Sequence, residues 1–125
     1  MVHLVSEQAR AFQMHGVAFT SFASSVSGAR SLAAWRADFE PNTPGQAHTM
    51  TEEEVLYITS GALDIELDGE SFTAATGDAV LVPSGAVLRV TNAAVEPASA
   101  WVTTLVGMTA TMSGGGEQIA PPWAQ

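Results

Sequence analysis

Apolar and polar residues alternate along most of this chain in short stretches, each cut by a turn signal. The clearest is 62–67, where Leu63, Ile65 and Leu67 alternate with Asp64, Glu66 and Asp68. A period of two sets one face of a strand in a core and the other in water. Asp68-Gly69 then reads as a tight hairpin turn into a strand at 70–75, and Thr76-Gly77-Asp78 as the next turn. Further strands are predicted at 17–22, 30–40, 55–60, 79–82, 86–91 and 101–112. The strongest break is Pro41-Asn42-Thr43-Pro44-Gly45. Only 7–15 is given a helical turn. Closely spaced turns without an amphipathic helix predict an all-β sandwich or barrel.

At 125 residues the chain has room for one domain with a real core. Thirteen carboxylates face four arginines, a formal charge of -9. Such a chain repels phosphate backbones and anionic lipid, so neither nucleic acid nor a membrane is expected as partner. No apolar run is long enough for a spanning helix, and 1–10 lacks the pattern of a signal peptide, so a soluble cytoplasmic protein is expected. There is no cysteine and no lysine, which excludes thiolate, disulfide and Schiff-base chemistry. Any reaction must run on carboxylates, hydroxyls, Tyr57, arginines and the histidines His3, His15 and His48.

One stretch concentrates such groups: His48-Thr49-Met50-Thr51-Glu52-Glu53-Glu54, preceded by Pro44-Gly45 and closed by Gly61. A second set of markers follows at Gly77, Pro83, Gly85 and Asn92, with Leu88 between the last two. In order and spacing these resemble the two motifs of the cupin family, small jelly-roll barrels. The resemblance implies a single cupin-type jelly-roll β-barrel with a core of about 29–112, a short N-terminal arm at 1–28 and an irregular C-terminal tail at 113–125. It also implies a homodimer. Ile119 and Trp123 of the tail are expected to dock on the barrel or on a neighbouring subunit, since a free end gains little from a tryptophan.

In metal-bearing cupins three histidines and a glutamate hold a divalent ion. Carried onto this chain, His48 and Glu54 remain, while Met50 and Leu88 stand at two histidine positions. A thioether and an isobutyl group do not suit manganese, iron or zinc, so no metal and no other cofactor is expected. Copper(I) accepts thioethers, and His48 and Met50 share a strand face, but a buried methionine is usually packing.

If the family frame holds, His48 and Met50, Glu54 and Leu56, and Leu88 all face the barrel interior. His48 and Glu54 are then the candidate catalytic pair, with Met50, Leu88, Trp35, Trp101 and Leu56 as ligand-binding residues. A hydrogen bond between His48 and Glu54 is the plainer alternative. Burial raises the pKa of such a carboxylate and a nearby histidine lowers it again. His15 closes the cavity only if the N-terminal arm folds over the mouth. Arg89 is expected on the outer face, and Tyr57 away from Glu54.

Three functions are compatible with these residues. The first is metal-independent acid-base chemistry on a small organic molecule, of isomerase, cyclase or lyase type. The second is non-catalytic binding or sequestration of such a molecule. The third is a metal-dependent dioxygenase in which His3 or His15 supplies a missing ligand.

Overall fold

A computed structural model describes residues 2–125. Twelve strands follow one another: β1 (Arg10–Met14), β2 (Val17–Ala23), β3 (Leu32–Phe39), β4 (His48–Met50), β5 (Glu54–Ser60), β6 (Ala62–Leu67), β7 (Glu70–Ala75), β8 (Ala79–Val82), β9 (Leu88–Thr91), β10 (Ala98–Leu105), β11 (Ala110–Met112) and β12 (Gln118–Ile119). They form two six-stranded sheets, in the orders β1-β2-β3-β10-β5-β8 and β12-β11-β4-β9-β6-β7. Every ladder is antiparallel, and the two sheets face each other as a jelly-roll barrel. Among the described residues no helix is long and apolar enough to cross a membrane.

Alternation in sequence becomes alternation in space. On β6, Leu63 and Ile65 are buried while Asp64 and Glu66 face solvent. On β5, Glu54, Leu56 and Ile58 point inward and Val55 and Tyr57 outward. Each fully buried Ile or Leu contributes about 1.5–3 kcal/mol, and Ile58, Leu63, Ile65 and Leu88 are among the most completely buried side chains. The Asp68-Gly69 turn has positive φ at both residues, 49° and 84°, and joins Leu67 to Glu70 across the ladder. That is the twist a two-residue hairpin needs.

The family-motif residues prove to be frame. Gly45 runs against β9 so closely that a Cβ there would collide with the Val90 carbonyl oxygen. The buried Asn92 amide donates to the carbonyls of Glu40 and Glu96 and ties two loops together. Gly61, at φ 70°, turns β5 into β6 beside Pro97 and Ala98.

Three expectations need correction. The helical turn foreseen at 7–15 shrinks to a single 3-10 turn, Ser6–Gln8, and most of the rest is strand β1. The N-terminal arm holds a second strand, β1, besides the one expected at 17–22; β1 and β2 pair, and β2 continues onto β3. The strand foreseen at 101–112 is two strands in different sheets, broken around Gly107 at φ 88°. The tail docks as expected. Its last turn, Pro122–Ala124, buries Trp123 against Phe19, and Ser21 Oγ donates to the Trp123 carbonyl at 2.9 Å.

Candidate functional site

One cavity of about 150 Å³ opens between the sheets. Four of the expected ligand-binding residues line it: Trp35 from β3, Met50 from β4, Leu56 from β5 and Leu88 from β9. His48 and Glu54 line it too. Strand parity puts them there. His48 stands opposite Leu88 of β9 and Met112 of β11, and Glu54 opposite Val82 of β8.

The loop between His48 and Glu54 is held by bonds from distant parts of the chain. Gly85 N–H donates to the Met50 carbonyl, Ser84 Oγ to the Thr51 carbonyl and Thr104 Oγ1 to the Glu53 carbonyl. With both flanks pinned, Glu54 enters β5 with its carboxyl turned inward. It is 5% exposed, and its Oε2 has no hydrogen-bond partner. Burial alone pushes its pKa up to about 8. Near neutral pH it is therefore mostly a neutral carboxylic acid, able to donate a proton or a hydrogen bond.

His48 is oriented differently. Its Nδ1 lies 2.8 Å from the carbonyl oxygen of Gln46. A carbonyl only accepts, so Nδ1 carries the hydrogen, and a neutral ring then keeps its lone pair on Nε2. The plainer alternative, a hydrogen bond between His48 and Glu54, does not form. Nor does His48 offset the effect of burial on Glu54. Both groups line one cavity, each free to meet a ligand separately.

Trp101 does not belong to the site. It lies on the outer face of β10, 36% exposed, tilted against Phe22 at 5.5 Å. Its neighbour Val102 takes the inward position. Arg36 and Arg89 also face outward, in pairs with Asp38 at 2.9 Å and Glu66 at 3.6 Å.

Several lining residues were missed in the sequence. Phe19 comes from β2, Met108 from the turn after β10, and Ile119, Pro121 and Trp123 from the tail. His15 reaches the rim because the β1–β2 hairpin turns there, at φ 52° for His15 and 80° for Gly16. The signal that would have found the hairpin, in place of the helical turn expected at 7–15, is Phe12 and Met14 in alternation, a two-residue turn, then Val17 and Phe19. His3 lies in a separate groove with Val2, Gln8 and Arg10.

Among the described residues no three of His, Cys, Asp or Glu come together as metal ligands. His48 and Glu54 are two donors. Met50 and Leu88 beside them add a thioether and a hydrocarbon, which do not complete a site for a hard or borderline ion.

Comparison with known proteins agrees with this frame. The family model described as Cupin domain matches residues 35–105. The chain belongs to the cupin family. No curated protein matches it significantly. Among solved structures, this cupin is similar to a sugar phosphate isomerase from a cupin superfamily, from Silicibacter pomeroyi. The TM-score is 0.76 at 17% identity, over 94% of this chain and 85% of the other. It is similar to the polyketide cyclase RemF from Streptomyces resistomycificus, with TM-score 0.74, 16% identity and coverage of 84% and 79%. It is also similar to Pac13 of Streptomyces, described as a nucleoside dehydratase, with TM-score 0.70, 18% identity and coverage of 84% and 82%. At these identities the likeness concerns the fold.

Proposed function

We propose that this cupin binds a small organic molecule in its barrel cavity and moves a proton on it without a metal, as an isomerase, cyclase or lyase. The observation that carries this is Glu54 Oε2, a polar atom without a partner in a mostly apolar cavity. An unpaired buried carboxyl costs stability and needs a compensating use. His48 Nε2 is the general base, fixed by the Gln46 carbonyl, and Glu54 the general acid. The base removes a proton next to a carbonyl or leaving group. The acid donates to the oxygen on which negative charge develops, and the proton returns at another carbon or leaves with the expelled group. The similar folds of a polyketide cyclase and a nucleoside dehydratase support chemistry of this kind.

The test is deuterium uptake from heavy water into the α-carbons of cyclohexanone, followed by proton NMR. The wild type exchanges faster than buffer, and H48A and E54Q fall to the buffer rate while keeping native circular dichroism. Wild-type exchange that survives in both variants rejects the pair. Elemental analysis of untagged protein checks the absence of metal, with less than about one-tenth of an equivalent expected.

Non-catalytic binding is the second reading. It is favoured by the lack of a hydrogen bond between His48 and Glu54 and by the methionine-rich wall. A molecule carried through purification and recovered unchanged supports it.

A second copy of the chain is proposed as partner. On the outer face of β3, β10 and β5, Trp101 neighbours Tyr57 and Arg36 in register, and Val55 neighbours Leu81. The charges on this patch, Arg36 and Asp38, pair with each other. Two copies of a chain with net charge -9 meet there with little repulsion.

A further inference from the structure

We infer that the cavity is built for an uncharged, mostly apolar molecule of about one six-membered ring carrying a single hydrogen-bond acceptor, such as a cyclic ketone, and that it rejects anions, sugar phosphates included. The inference deepens the reading of the cavity as a binding site and does not depend on turnover there.

Size sets the first limit. A cavity of 150 Å³ matches what an apolar protein cavity needs to hold a benzene-sized guest, at about 150 Å³. The walls set the second. Phe19, Trp35, Phe39 and Trp123 present rings, and Met14, Met50, Met108 and Met112 present thioethers. These four are all the methionines between residues 2 and 125. Unbranched methionines adapt to a flat or puckered ring alike.

Charge sets the third. The chain has no lysine, and Arg36 and Arg89 are paired on the outer surface. Arg10 is bound to Ser24 and to the Pro122 carbonyl, over the Phe12 ring. A phosphate or carboxylate inside meets no guanidinium or ammonium, only the imidazoles of His48 and, at the rim, His15, and one hydrogen bond from Glu54 does not replace an anion's hydration among the apolar walls. A sugar fares little better, since its several hydroxyls each need a partner and the wall is mostly hydrocarbon. The Thr43 hydroxyl is already donated to the Glu40 carbonyl at 2.7 Å.

Glu54 sets the last. Its Oε2 is buried without a partner, and the protonated group has a hydrogen to give. A ligand oxygen that accepts from it satisfies both atoms at once, whereas a hydrocarbon leaves Glu54 unpaired.

Calorimetric titration at about pH 6, where a carboxyl of raised pKa is neutral, distinguishes these limits. The probes are cyclohexanone, cyclohexane, cyclohexanecarboxylate and cyclohexyl phosphate. Cyclohexanone is expected to bind about tenfold or more tightly than cyclohexane, and the two anions to show no saturable binding. In E54L the preference for the ketone disappears while cyclohexane still binds, which also shows that the barrel is intact. Binding of either anion as tightly as the ketone overturns the inference. So does a ketone preference that persists in E54L, or failure of every neutral probe to bind. Ketone binding without deuterium exchange rejects only the catalytic reading.

Discussion

The indole of Trp123 lies flat on the ring of Phe19, with centroids 3.8 Å apart and planes 3° from parallel. This stack joins the chain's last turn to β2 and forms part of the cavity wall. Trp123→Ala removes a buried side chain that nothing else can replace. A loss of about 3–5 kcal/mol is expected, read as a lower urea midpoint with an unchanged slope. Trp123→Phe retains much of it, because a smaller ring can still stack on Phe19.

Glu54 makes stability depend on pH in an uncommon direction. Its folded pKa, about 8, lies above the ordinary value of 4.5. Between those values the unfolded chain has released the proton and the folded chain keeps it, so rising pH favours unfolding. Below 4.5 both states are protonated and the effect vanishes, and above about 8 it levels off. The full span corresponds to roughly 5 kcal/mol as an upper figure. E54Q, which cannot ionise, removes this slope. Melting temperatures of both proteins from pH 5 to pH 9, about 4 units, check it: the two curves diverge as pH rises, with the variant higher.

Gly45 and Gly115 should behave differently when given a methyl group. At Gly45 the new Cβ meets the Val90 backbone, which cannot move without shifting β9. Gly45→Ala is expected to cost about 1–3 kcal/mol and to reduce ligand binding. Gly115 has open space around it and no positive φ. Gly115→Ala should stay within about 0.5 kcal/mol of the wild type in the same denaturation assay.

Charging the outer sheet face tests the proposed pairing of two copies. Tyr57 and Trp101 stand in register on neighbouring strands, both substantially exposed. The double substitution Tyr57→Asp and Trp101→Asp should shift sedimentation from dimer to monomer at micromolar concentration. Cyclohexanone affinity should stay the same, since neither side chain lines the cavity.

The fold was readable in the sequence because its markers are backbone requirements. Asp68-Gly69, Gly61, Gly45 and Asn92 each answer a positive φ, a close approach or an open loop. The inward turn of Glu54 was readable for a similar reason, since Leu56 and Ile58 fix the parity of β5. Trp101 was not. In Ala100-Trp101-Val102 every residue is apolar, so nothing local says which face is inside, and a register shift between Ser99 and Ala100 separates the strand from earlier cues. That the tail and the hairpin wall the cavity was hidden for another reason. Their partners lie at the opposite end of the chain, and periodicity within a strand says nothing about pairing over such separations. The missing bond between His48 and Glu54 turned on the Gln46 carbonyl, a backbone atom that no side-chain pattern reveals.

The bond from Ser21 to Trp123 spans 102 residues, and that from Arg10 to Pro122 spans 112. Contacts so distant in sequence are slow to find each other, because the intervening loop must first lose its freedom. During synthesis, β2 and its Phe19 emerge long before the tryptophan they stack on. The pocket's inner wall can assemble beforehand, but one side of it stays open to water until then. The capacity to hold a ligand therefore waits on some of the most distant contacts in the fold.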